Sequence, residues 1–144
     1  MVVNTLVLSF ISLIGCQAVF PPNEQYCSKE ATSAGAMWAL KFPRDSEPPL
    51  KDTMSIFHVA GSQQVFTWGI PMQKNTSGDK TFVQVDTSSE HFTKFAKEYG
   101  LAADLWEQIP FDTKSNSMTI QPNSSSKQFK LQPDFCFKRT RRAF

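Results

Sequence analysis

Two histidines, thirteen acidic residues and three cysteines are the groups in this chain best suited to chemistry. A catalyst or metal site needs them at particular spacings. His58 lies in a run that alternates apolar and polar residues, and His91 lies near the start of a helical pattern. Neither stands at a metal-binding interval from a second ligand. Glu90 and His91 are neighbours on the helical pattern and point in different directions. Asp86 and Asp104 are carboxylates of the kind that share acid–base work, but nothing in the sequence sets the distance between them. No G-x-S-x-G, H-E-x-x-H, C-x-x-C or glycine-rich phosphate loop occurs. The expectation is a protein with no catalytic residues, no metal and no cofactor: a binding or interaction protein rather than an enzyme.

The cysteines point to an oxidising compartment. Residues 6–14 form an apolar run, and Cys16-Gln17-Ala18 supplies a small-x-small cleavage site, so residues 1–18 read as a signal peptide. The run is too short to span a bilayer. Leu13-Ile14-Gly15-Cys16 also fits a lipobox, in which Cys16 would be lipidated. Neither reading has a basic residue ahead of the apolar run. Past residue 18 only Cys27 and Cys136 remain, and an even pair outside the cell reads as one disulfide. Two N-x-[ST] sequons, at Asn75 and Asn123, fall in Ser/Thr-rich stretches suited to glycosylation. The expected localisation is secreted and extracellular. The net charge of +2 gives no reason to invoke nucleic acid. Residues 138–144 form a basic tail in which Lys138, Arg139, Arg141 and Arg142 could meet an anionic surface. The same tail reads equally as a solubilising terminus, and Arg139-Thr140-Arg141-Arg142 fits a convertase site. Between the leader and the tail, residues 19–137 form a single domain large enough for an ordinary core.

The elements that would position these groups are mostly strands. The exception is the stretch 87–99. Thr87 and Glu90 have the T-x-x-E spacing of a capping box, with Ser88 and Ser89 as alternative caps. Phe92, Phe95, Ala96 and Tyr99 make one apolar stripe, and Gly100 stands where a left-handed C′ residue belongs. A helix this short is marginal in water, so its phenylalanines must dock on something. Before it, residues 34–42 alternate Ala36, Trp38, Leu40 and Phe42 on one face. Residues 53–60 and 64–70 read as a hairpin turning at Gly61. Its first arm alternates Met54, Ile56 and His58 against Phe57 and Val59. Its second alternates Phe66, Trp68 and Ile70 against Val65 and Thr67, and Pro71 is expected to close it. Residues 81–85 form a third strand ahead of the helix. Residues 19–29 read as extended or loose. Past the helix, 109–111 suggests an edge, and 115–121 and 128–138 suggest two more strands. The expected fold class is α+β, mainly antiparallel sheet with one helix packed on it.

Chain order then suggests a family. A cysteine-bearing segment, several antiparallel strands, one helix, a Gly100-Leu101 turn, a short edge at Ile109-Pro110-Phe111 and the closing Cys136 resemble the second half of a lipocalin. The α1-acid-glycoprotein-like branch is the closest likeness. The resemblance covers residues 27–111. It implies a Cys27–Cys136 bridge and binding of a small hydrophobic molecule. The G-x-W motif is absent, since Gly35-Ala36-Met37-Trp38 has one residue too many, and no T-D-Y follows the hairpin. The N-terminal half looks shortened, with no room for the first three of about eight strands. The resemblance therefore implies a partial barrel whose open edges would call for a dimer partner. With a curved sheet under a helix, Trp38, Phe66, Trp68 and Phe82 are the expected ligand-lining residues. The other reading is a secreted interaction protein with a solid core, meeting its partner through the basic tail.

Overall fold

The structure, a computed structural model, describes residues 20–29, 37–44 and 52–136. The expected leader at 1–18 and the basic tail at 138–144 lie outside the described residues. Within them are eight strands: β1 (Gln25–Ser28), β2 (Met37–Lys41), β3 (Thr53–Ala60), β4 (Gln63–Ser77), β5 (Lys80–Val85), β6 (Gln108–Asp112), β7 (Ser117–Ile120) and β8 (Phe129–Gln132). One helix, α1 (Glu90–Tyr99), joins β5 to β6. Every neighbouring pair is antiparallel, and β8 returns to β1 through Cys27↔Gln132 and Ser28↔Leu131, so the sheet closes into a barrel.

Closure corrects the expected partial barrel. Most of the strands are only four to six residues long, so eight of them fit into a short chain. The stretch read as loose supplies β1, and the segment after the helix supplies three barrel strands. β1 and β8 pair with each other, so neither terminal strand of the sheet has an open edge.

The barrel is strongly staggered at β4. Its first half pairs with β3, from Ala60↔Gln63 to Thr53↔Pro71, and its second half pairs with β5, from Met72↔Val85 to Ser77↔Lys80. Pro71 was expected to end the strand but sits at the hand-over between partners. There its missing N–H costs no ladder bond, while its carbonyl accepts from Asp86 N at 2.9 Å. Because β5 stops at Val85, the first half of β4 has a strand on one side only. The helix α1 lies along the other side, where Thr67 Oγ1 donates to the His91 carbonyl at 3.4 Å.

Strand alternation fills the interior. Tyr26, Trp38, Leu40, Ile56, Val83, Ile109, Met118 and Leu131 point inward and are buried. From the helix, Phe92, Phe95 and Ala96 enter the same core. Trp106 follows a short 3-10 turn (Ala103–Leu105), is fully buried, and donates from Nε1 to the Pro122 carbonyl at 3.2 Å. Its ring lies 6.0 Å from Trp38 and 6.2 Å from Phe92, so helix and barrel share one aromatic centre. At the opposite end the segment before β1 forms a plug. Phe20 packs edge-on against Phe111 at 5.1 Å, and the Tyr26 hydroxyl donates to Asn116 Oδ1 at 2.6 Å. Asn116 Nδ2 in turn donates to Asn23 Oδ1 at 2.6 Å.

Cys27 and Cys136 form the disulfide, bridging 109 residues. Cys27 points outward between Tyr26 and Ser28 yet is almost fully buried, because the 3-10 turn Pro133–Phe135 and Cys136 return alongside β1. In the chain-entropy model a bridge across so long a loop stabilises by about 4–5 kcal/mol.

Candidate functional site: the barrel mouth

At the end of the barrel near the β3–β4 hairpin, the packed core opens into a concavity of about 360 Å³. Each wall has a local cause. Trp38, the second residue of β2, donates its N–H to Ser28 Oγ at 2.8 Å, which fixes the rim of β1 and β2. His58 pairs directly with Trp38 across the ladder, and the two rings stack at 4.0 Å with planes 25° apart. Val65 pairs with His58 from β4, and Phe129 opens β8 with its ring 6.5 Å from Trp38. Tyr99 closes the helix side. Pro122, Asn123 and Ser126 form the remaining lip, which is held to the helix by Ala102 N donating to the Pro122 carbonyl at 2.9 Å.

His58 is the electrostatic feature of this mouth. Burial pushes its pKa below the ordinary 6.5, partly opposed by a hydrogen bond with the Met37 backbone. The imidazole is therefore held neutral at physiological pH. Its Nδ1 is buried and has no hydrogen-bond partner among the described residues. The site thus combines two flat aromatic faces, apolar walls and a neutral acceptor–donor ring. That arrangement suits binding of a small, mostly apolar molecule. Among the described residues no group of three or more His, Cys, Asp or Glu is placed to hold a metal ion.

Of the four residues expected to line a ligand space, only Trp38 is at the mouth. Phe66 and Trp68 lie on the outer face of β4, 61% and 52% exposed. The reason is a bulge. Met54 pairs with Ile70 but Ile56 pairs with Thr67, so Trp68 and Gly69 together oppose Ser55. Gly69 takes φ 69° there. The extra residue resets the alternation: Ile70 points in, while Phe66 and Trp68, which share its parity in sequence, point out. Phe82 pairs with Asn75 and Pro110 on the outer face of β5, between the inward residues Thr81 and Val83. His58, Val65, Tyr99 and Phe129 complete the mouth instead. The signal for His58 was its shared parity with Met54 and Ile56. Tyr99 and Phe129 carried none that separated rim from core.

The sequons also part company. Asn75 lies within β4 rather than in a loop, and its Nδ2 donates to Gln84 Oε1 at 3.2 Å. Asn123 is on the turn at the lip of the mouth, its Oδ1 accepting from Ser125 N at 3.1 Å.

No family model, curated protein or solved structure matches this chain. The fold itself, an eight-stranded antiparallel barrel with one helix, is compatible with a lipocalin-like architecture. The three barrel strands after the helix fall on the edge at 109–111 and the two runs at 115–121 and 128–138 expected from the sequence, where the resemblance alone implied one short edge and a closing cysteine.

Proposed function

We propose that this chain is a secreted, non-enzymatic binding protein that takes a small, mainly apolar ligand at the mouth of its barrel, in the lipocalin manner. The observation that carries the reading is the stacked Trp38–His58 pair forming one wall of an open concavity above a packed core. A planar or branched apolar group could rest against Val65, Tyr99 and Phe129 without displacing the interior. The reading of secretion rests on the apolar leader and on the disulfide, which suits an oxidising compartment. A glycan at Asn123 would stand at the lip and restrict entry to small molecules.

Titration with the neutral fluorescent probe phenylnaphthylamine tests this. Saturable binding with one site per chain is expected. Val65→Trp, which fills the mouth from its rim, is expected to abolish it while the thermal midpoint stays within a few degrees. Absence of saturable binding to the folded wild type, or equal binding to the filled variant, would sink the proposal.

A second reading, an interaction protein, is favoured by one observation: Phe66 and Trp68 stand exposed side by side on the barrel's outer wall. Its other expected contact, the tail carrying Lys138, Arg139, Arg141 and Arg142, lies outside the described residues.

A further inference from the structure

A second concavity, of about 350 Å³, runs between β4 and α1 on the outside of the barrel. It exists because β5 ends early and the helix occupies the vacated flank. Phe66 and Trp68 form one wall and Phe95 and Thr67 the floor, and the His91 ring closes the groove beside Trp68, 5.2 Å from it. The other wall is a single helix face bearing Glu90, Lys94 and Glu98 at i, i+4, i+8. Among the described residues no ion pair joins Lys94 to either glutamate. The wall therefore presents charges in the order minus, plus, minus, with Glu98 Oε1 also accepting from the Tyr99 hydroxyl at 3.1 Å.

We propose that this groove docks an extended segment of a partner protein with the alternating pattern basic–apolar–acidic–apolar–basic. The argument is one of matched periods. Successive charges on the helix face are about 6 Å apart, from a rise of about 1.5 Å per residue. Alternate side chains of an extended chain are about 6.6 Å apart. Three same-side residues of a strand-like segment thus stay in step with Glu90, Lys94 and Glu98, basic against each glutamate and acidic against the lysine. The two intervening side chains point the other way, toward Phe66 and Trp68, which repeat at the same spacing because they too are alternate residues of a strand. The aromatic wall supplies buried apolar contact and the helix supplies register. The barrel mouth plays no part.

The blocked peptide Arg-Leu-Glu-Leu-Arg and its charge-reversed form Glu-Leu-Arg-Leu-Glu test this by calorimetry on the full chain. The first is expected to bind saturably and the second at least about tenfold more weakly, since like charges then face each other. The triple variant Glu90→Lys, Lys94→Glu, Glu98→Lys is expected to reverse that preference. Trp68→Ala, an exposed truncation that leaves the core untouched, is expected to weaken the first peptide by about fivefold. No saturable binding, equal binding of both peptides, or indifference to Trp68→Ala would each overturn the proposal. So would a concentration-dependent dimer broken by Trp68→Ala, which would make a second copy the occupant. Stronger peptide binding after removal of residues 138–144 would make the chain's own tail the occupant and overturn it equally.

Discussion

His58 shows how much one side chain's surroundings decide. In sequence it is one of two unremarkable histidines. In the barrel it is pressed flat against Trp38, its Nδ1 buried and unpartnered, and burial lowers its pKa. A depressed histidine pKa means the unfolded chain takes up the proton more readily. The stability linked to His58 is therefore present above the ordinary value of 6.5 and is lost as the pH falls below it toward the folded value. Denaturant midpoints measured at about pH 8 and about pH 5 should thus fall on acidification. His58→Phe, which keeps a flat ring on Trp38 but cannot titrate, should flatten that dependence. Asp112 is also held below its ordinary value, by the Ser115 hydroxyl and then by the Lys114 N–H. Its window lies below 3.8, outside the range between about pH 5 and about pH 8 of that comparison. Phe66 and Trp68 carry the complementary lesson. Their types were read correctly as a pair on one face, but which face they share was decided by a bulge one residue further along.

At the scale of the element, α1 was the most legible feature of the chain. Its apolar stripe, its glycine stop and its docking face all follow from spacing, and Gly100 adopts the left-handed cap with its N–H on the Ala96 carbonyl. The start differs from the expected capping box. The helix begins at Glu90, and the N-cap is Ser89, one of the two alternative caps expected, whose hydroxyl accepts from Phe92 N at 3.4 Å. Asp86 supplies an earlier turn instead, its Oδ1 accepting from the Ser88 hydroxyl at 2.6 Å. Ser89→Ala should accordingly cost about 1 kcal/mol. Thr87→Ala should cost no more than a few tenths, within the usual range for surface changes. Equal costs in urea titrations would restore the capping box. β4 was the least legible element. A proline inside an alternating run ordinarily closes a strand, and here it does not, because the strand changes partners at that residue.

For the molecule as a whole, closure is the decisive fact. β1 and β8 are four residues each and share only two register pairs, as few as β6 and β7, so the seam that closes the barrel is thin. The Cys27–Cys136 bridge lies on that seam. Replacing both cysteines by serine should lower stability by about 2–5 kcal/mol, read as a shift in the urea midpoint. Hydrogen exchange should report the loss first at β1 and β8, ahead of the β3–β4 hairpin. Uniform loss of protection across all strands would mean that the seam is no weaker than the rest.

The sequence by itself determined the class of the fold, the existence and faces of most strands, the helix, and the pairing of Cys27 with Cys136. These are local matters: alternation, helical spacing, turn residues and cysteine parity are all written within a few residues of where they act, or in a simple count. Only the tertiary structure decided that the sheet closes, which aromatic residues face in, and that one concavity opens at the mouth and another along β4. Those outcomes depend on strand register, on the bulge at Gly69 and on the early end of β5. Each couples residues far apart in the chain, and a one-residue change in any of them turns a lining side chain into a surface one.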